Sequence, residues 1–216
     1  MTASKERLYG KNPAEVAAVC AELGMPRFTA GQVVRWLYQR HIEDPMLMSD
    51  LSKKNRELLA SRFAPALSAP IRVSESKDGT KKYLYKTFEG CYIESAYIPD
   101  GERATLCVSS QAGCRMGCKF CATGRQGLQH NLSAAEILNQ IVSLPERDKL
   151  TNLVFMGMGE PLDNLDEVLR ALEIITSEWG FGWSPTRVTV STAGVVSNLR
   201  RFLDSTKVHL AVSLHN

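Results

Sequence analysis

The sequence predicts an α/β fold, with parallel strand–helix units following a small helical module. Three observations carry this. The apolar residues recur at helical spacing over 1–65, shift to a period of two over 70–99, and from Ala104 onward short apolar strands alternate with helical stretches. The connections in that last part are short, which is the signature of parallel βα units in a sheet or barrel sector with helices outside. Its four strands each end in small or polar residues, at the end where such folds bind ligands.

The chain has 216 residues, enough for one substantial domain and a small one. With 44% hydrophobic and 23% charged residues it reads as an ordinary soluble globular protein. No apolar run is long enough for a transmembrane helix, so no membrane association is expected. The start, M-T-A-S-K-E-R-L, has no signal-peptide core, which leads to the expectation of a reducing, cytoplasmic location. Net charge is +3, and the whole excess lies in the first hundred residues. That permits contact with RNA without demonstrating it.

In the front module, Asn12-Pro13-Ala14-Glu15 is a capping box with proline at the first helical position, and Gly24 ends the helix it opens. A second helix starts near Thr29 and places Val33, Trp36 and Leu37 on one face. Asp50 or Ser49 can cap a third, which stops before Pro65. Cys20 sits on an apolar face and reads as a buried structural thiol. Arg35, Arg40, Lys53, Lys54, Arg56 and Arg62 are scattered over these helices, individually as solvated surface and together as a plausible phosphate-binding surface.

Over 70–99, K-Y-L-Y-K-T-F and C-Y-I-E-S-A-Y-I are strands around a Glu89-Gly90 turn, after another turn at Lys77-Asp78-Gly79-Thr80. In the second strand Cys91, Ile93, Ser95 and Tyr97 point one way, and Tyr92, Glu94, Ala96 and Ile98 the other. A carboxylate among such neighbours lies either at a strand edge in solvent or in a pocket that raises its pKa. From the residues alone the edge is favoured.

Strand 104–109 leads into a cysteine loop, and Ser133-Ala134-Ala135-Glu136 is a capping box opening a helix. Strand 153–156, helix 165–177, strand 187–191, helix 194–203 and strand 208–214 follow. The strand ends S-S-Q-A-G, G-M-G-E-P, S-T-A-G and S-L-H would line one rim. The glycines of M-G-M-G-E-P could bring backbone to a ligand, with Glu160 accepting from an amine.

The richest stretch is C-V-S-S-Q-A-G-C-R-M-G-C-K-F-C, residues 107–121. Cys114, Cys118 and Cys121 stand in C-x3-C-x2-C spacing. Cubane iron–sulfur clusters use cysteine thiolates, so three close cysteines suggest a cube with one iron open to a ligand. Gly113 and Gly117 allow tight turns around such a cluster, and Phe120 could limit solvent access. A zinc site that also uses Cys107, or a disulfide, are the alternatives.

C-x3-C-x-aromatic-C resembles the signature of radical S-adenosyl-L-methionine enzymes. The wider string over 103–121, R-A-T-L-C-V-S-S-Q-A-G-C-x3-C-x-F-C, resembles the RlmN/Cfr family of RNA adenine methyltransferases, its RlmN branch most. The similarity continues through I-E-S-A-Y-I-P, M-G-M-G-E-P, V-T-V-S-T-A-G and L-A-V-S-L-H. It implies a partial parallel (β/α) radical-SAM barrel with about four of six strands over 101–216. It further implies a helical RNA-binding accessory domain over 1–68 and a β-hairpin linker over 69–100.

By resemblance, Cys114, Cys118 and Cys121 hold a four-iron, four-sulfur (4Fe–4S) cluster. Gly159, Glu160, Ser191, Ser213, Leu214 and His215 contact S-adenosyl-L-methionine, Glu160 at its amino group. The family methylates C2 of an adenosine in the peptidyl transferase centre of 23S rRNA, and of the tRNA adenosine next to the anticodon. A carrier cysteine near the family's C-terminus delivers the methyl group and leaves a protein–RNA thioether. Cys107 matches the cysteine that resolves this adduct, and Glu94 the proton acceptor. The resemblance thereby makes Glu94 a pocket residue and releases Cys107 from metal ligation. The target base must be unpaired or flipped out.

The sequence ends at Asn216, and no cysteine follows Cys121. The expectation is a chain truncated before the methyl-carrier cysteine, able to cleave the cofactor but not to complete methylation, with its fourth strand an open edge. The implied partners are 23S rRNA, tRNA and an electron donor such as flavodoxin or ferredoxin, with the protein a monomer. Rival readings are a Cfr-like reaction at adenine C8, or a non-catalytic RNA-binding fragment with a structural metal.

Overall fold

The structure is a computed structural model that describes residues 6–214. The chain divides into two compact units, Met1–Leu67 with Glu173–Trp183, and Ser68–Leu172 with Ser184–Asn216.

The first unit starts with strand β1 (Glu6–Arg7) and helix α1 (Pro13–Glu22). Asn12 and Glu15 form the expected reciprocal capping box, which satisfies two amides that the first helical turn leaves unpaired. Helix α2 (Thr29–Val34) runs on as a π-helical turn over Arg35–Gln39. Helix α3 (Lys53–Arg62) is followed by strand β2 (Phe63–Ala64), which pairs in parallel with β1. The cap of α3 is Ser52, whose hydroxyl accepts from Asn55 N–H, rather than Ser49 or Asp50. Asp50 is engaged elsewhere, because its carboxylate accepts from the Trp36 indole.

An aromatic cluster fills this unit. The Tyr38 ring meets Tyr9 at 5.2 Å, Trp179 at 5.6 Å and Phe181 at 6.5 Å between centroids. Its hydroxyl donates to Lys11 C=O at 2.6 Å and accepts from Gly10 N–H at 3.0 Å, so the buried polar tip is paired.

The second unit is built on one seven-stranded sheet. Strands β3 (Arg72–Glu75), β4 (Lys81–Lys86), β5 (Tyr92–Asp100) and β6 (Arg103–Cys107) run as an antiparallel meander. Beyond β6, a short hairpin of β7 (Gln111–Cys114), helix α4 (Ala122–Arg125) and β8 (Gly127–Asn131) stands outside the sheet. Then come α5 (Ala134–Val142), β9 (Asn152–Phe155), α6 (Leu165–Thr176), β10 (Val188–Thr192), α7 (Val196–Ser205) and β11 (His209–Val212). Sheet order is β11-β10-β9-β6-β5-β4-β3, with β6, β9, β10 and β11 parallel. The strands of the 69–100 hairpin thus continue the parallel sheet itself.

Strand alternation gives this sheet two different faces. One buries Tyr83, Tyr85, Ile93, Tyr97, Leu106, Leu153, Phe155, Val188 and Val190. Helix α5 is tied to it through Ser143 Oγ to Tyr85 Oη at 3.3 Å and Gln140 Oε1 to Ser109 N–H at 2.9 Å. The other face is open and carries Lys82, Glu94, Ala96, Thr105, Cys107, Val154 and Ser191. The alternation expected along β5 is present, but β5 is an interior strand between β4 and β6, so Glu94 does not lie at a sheet edge.

Candidate active site

Strand β7 ends on Cys114, which is buried. A turn through Gly117, at φ 65°, brings the chain round to Cys118, and Cys121 N–H bonds back to Cys118 C=O at 3.0 Å before α4 begins. Side chains of all three cysteines line a cleft of about 280 Å³. Gly113 has φ 75°, and a Cβ there would sit 1.8 Å from Gly127 C=O. The close approach of β7 to β8 therefore dictates this glycine. Phe120, 67% exposed, lines the same cleft from the protein surface.

The opposite wall comes from the ends of β9, β10 and β11, through Gly159, Glu160, Ser191, Thr192 and Ser213. Ser191 and Ser213 hydroxyls are 3.2 Å apart. Glu160 is buried, and its carboxylate accepts from Thr192 hydroxyl at 2.7 Å, Leu162 N–H at 3.0 Å and Ala193 N–H at 2.8 Å. These bonds tie the strand end of β10 to the turn after β9. A Cβ on Gly159, at φ 95°, would lie 2.5 Å from Gln111 Cβ. A Cβ on Gly157 would lie 2.7 Å from Val108 C=O. Packing against the chain after β6 explains both glycines.

Two walls of the cleft are joined by polar side chains. Gln111 is fully buried; its amide donates to Asp163 at 2.7 Å and Asn131 at 2.8 Å and accepts from Glu160 N–H at 2.8 Å. Asp163 also accepts from Arg115 Nε at 2.8 Å.

Burial pushes the Cys114 thiol up, and negative charge on Glu160, Cys118 and Cys121 adds to this, against an opposing bond from Met116 N–H. Three thiols and a carboxylate within Coulombic reach of one another form an acceptor set that a cationic group would relieve.

Residues 108–216 match the model of the radical SAM superfamily, and residues 7–64 that of the ribosomal RNA large subunit methyltransferase N-terminal domain. The chain belongs to the RlmN family of radical SAM proteins. It is 55% identical over 215 residues to the "Probable dual-specificity RNA methyltransferase RlmN" of Phocaeicola vulgatus, covering 100% of this chain and 62% of that protein. It is 46% identical over 212 residues to the "Dual-specificity RNA methyltransferase RlmN" of Halorhodospira halophila, covering 96% of this chain and 59% of that one. A radical SAM methyltransferase from Sphaerobacter thermophilus superposes with TM-score 0.87 at 39% identity, over 97% of this chain and 64% of that structure. The chain thus spans about 62% of the length of curated relatives such as that of Phocaeicola vulgatus.

The family implies a 4Fe–4S cluster and S-adenosyl-L-methionine, and the residues fit both. Three thiols face one cleft, and hydroxyl and carboxylate groups face it from across. Among the described residues, no three His, Cys, Asp or Glu side chains converge closely enough to share one ion. A cube whose cysteines each bind a different iron does not require that convergence.

The family resemblance singled out other residues that stand elsewhere. Leu214 is 88% exposed and does not line the cleft, and His215 lies outside the described residues. Cys107 and Glu94 stand on the open face of the sheet, Cys107 opposite Ala96 and Glu94 two residues away on β5. Glu94 is 43% exposed at its side chain and pairs with Lys82 at 2.9 Å. Burial pushes the Cys107 thiol up, partly offset by a bond from Met156 N–H. Gln111, Arg115, Asp163 and Thr192 were not singled out in the sequence. Gln111 and Arg115 lie inside the cysteine stretch, but only contacts distant in sequence reveal their part.

Proposed function

We propose that this chain forms the cofactor site of a radical S-adenosyl-L-methionine enzyme that methylates C2 of adenosine in 23S rRNA and tRNA. The observation that carries it is the cleft with Cys114, Cys118 and Cys121 on one wall and Glu160, Ser191 and Ser213 on the other. Names of relatives that join "dual-specificity" to "RNA methyltransferase" support the substrate.

In this reading the three thiolates hold the cluster, and Glu160, Gly159, Ser191 and Ser213 hold and orient S-adenosyl-L-methionine. Bound together, the two groups supply one-electron chemistry, which an electrophilic carbon such as adenine C2 requires because polar methyl transfer lacks a nucleophile there. Thr192 and Ala193 fix the Glu160 carboxylate before any ligand arrives, so its orientation needs no reorganisation. Cys107 keeps its proton at neutral pH, since burial raises its pKa. Glu94 on the same face is the acceptor for a substrate proton. Residues 1–68 serve as the RNA-binding accessory domain, 69–100 as the linker and 101–216 as the radical SAM core. A flavodoxin or ferredoxin supplies the electron to a monomeric, cytoplasmic protein. Among the described residues no helix is long and apolar enough to cross a membrane.

Anaerobic reconstitution tests this. About four irons per chain and release of 5′-deoxyadenosine are expected, with both lost in C118A. A colourless protein holding zinc tightly would sink the reading.

A further inference from the structure

The open face of β3, β4 and β5 carries a group of side chains that the cofactor cleft does not use. Register sets Arg72 opposite Leu84 and Leu84 opposite Glu94, Lys82 opposite Ala96 and Ala96 opposite Cys107, and Lys86 opposite Tyr92. Because side chains alternate along a strand, all of these share one face, away from buried Tyr83, Tyr85, Ile93 and Tyr97. Arg72, Lys82, Lys86 and Tyr92 are all exposed, the tyrosine at 52%. Glu94 pairs with Lys82, while among the described residues no carboxylate forms an ion pair with Arg72 or Lys86.

Among the described residues Arg72 and Lys86 thus have no carboxylate to offset them, and a polyanion lying across the face would supply the missing charge and compete with Glu94 for Lys82. An exposed ring beside Lys86 adds a flat stacking surface. Cations that track a backbone and rings that stack bases are the two components of single-strand binding. An acidic protein segment would use the cations and leave the ring without a planar partner. A duplex keeps its bases stacked inside and would do the same.

We propose that this sheet face is a track for unpaired RNA, where Arg72, Lys82 and Lys86 pair with phosphates and Tyr92 stacks a base, leading to Cys107 and Glu94. The proposal rests on the RNA-substrate reading above. It adds that a phosphate reaching Lys82 displaces Glu94, so the carboxylate is released beside Cys107 only when RNA is in place.

The test uses the 216-residue chain, reconstituted anaerobically, titrated by fluorescence anisotropy over a salt series. The probes are a short unstructured RNA oligonucleotide and a duplex of equal length. R72A/K86A is expected to flatten the slope of log affinity against log salt for the single strand by about 1.4, roughly 0.7 for each phosphate contact removed. Y92A is expected to weaken single-strand binding about tenfold at every salt concentration with the slope unchanged, and Y92F to restore it. Wild-type affinity and slope in R72A/K86A, or equal binding of Y92A and wild type, would overturn the track and leave the RNA-substrate reading standing. A wild-type chain that takes up iron but binds neither RNA would overturn both. All three positions are exposed, and thermal melting of each variant confirms that the fold is kept.

Discussion

Arg115, the residue after the first cysteine of the triad, donates Nε to Asp163, in the turn after β9, at 2.8 Å. The same carboxylate oxygen takes the Gln111 amide at 2.7 Å. Asp163 is only 15% exposed at its side chain, whereas Arg115 is 55% exposed. Solvent therefore screens the arginine's share, and removing it should cost no more than about 0.5 kcal/mol. D163A leaves the buried Gln111 amide short of an acceptor and should cost about 1–3 kcal/mol. Denaturant melts of R115A and D163A check the order. Both variants are also expected to lose iron to a chelator several-fold faster than wild type, since each frees the cysteine loop from the opposite wall.

Two glycines of the site should respond differently to the same substitution. G159A places a Cβ 2.5 Å from Gln111 Cβ in a backbone at φ 95°, so strain and clash together should exceed about 3 kcal/mol. G117A has φ 65° with nothing nearer than Arg115 C=O at 4.0 Å, and should cost about 1–2 kcal/mol. Soluble yield and thermal melting separate the two.

E160Q should destabilise the unliganded protein. Both Glu160 oxygens accept from donors, so an amide NH2 must meet at least one N–H or O–H head on. The expected cost is about 1–3 kcal/mol, read by thermal melting without cofactor. A variant as stable as wild type would show that the three bonds are not maintained in solution.

Stability should fall on both sides of neutral pH through Tyr83 and Glu146. Burial, then the hydrogen bond to Glu146, raises the Tyr83 phenol well above its ordinary value. Its contribution is complete below the unfolded value of about 10 and is lost as pH rises toward the folded value. Burial pushes Glu146 up, but bonds from Lys81 and Tyr83 outweigh it and leave the pKa lowered. Its contribution is complete above about pH 4.3 and is lost as pH falls below. Y83F is expected to cost about 1 kcal/mol at pH 7 and to flatten the alkaline limb of a melting-temperature profile.

The sheet and its helices were legible because local rules decided them. Asn12-x-x-Glu15 and Ser133-x-x-Glu136 announced helix starts that the structure keeps, and period-two alternation put Ile93 and Glu94 on opposite faces of one strand, as the structure does. The β7–β8 hairpin escaped notice. Its strands are short, Q-A-G-C and G-L-Q-H-N, and Gln111 meets its partner Asn131, 20 residues further along the chain, only once the cysteine loop between them has folded back. The cap of α3 was misplaced for a similar reason: Asp50 is a good cap by type, and only the distant Trp36 indole shows why Ser52 has that task. In the cleft, residue identity marked the cysteines and Glu160. It could not mark Gln111 or Asp163, whose part is defined by partners up to 52 residues away.

The first unit is discontinuous, with Glu173–Trp183 grouped with Met1–Leu67 and the Trp179 and Phe181 rings against Tyr38. A gene fusion or domain swap cut once after residue 67 would therefore carry away the front helices without the rings that complete their core. The unit can be inherited or transplanted only as two pieces, so substitutions at Tyr38 and at Trp179 are expected to be traded together in descendants of this chain. A ribosome also finishes this unit late, since its core waits for residue 183 to emerge.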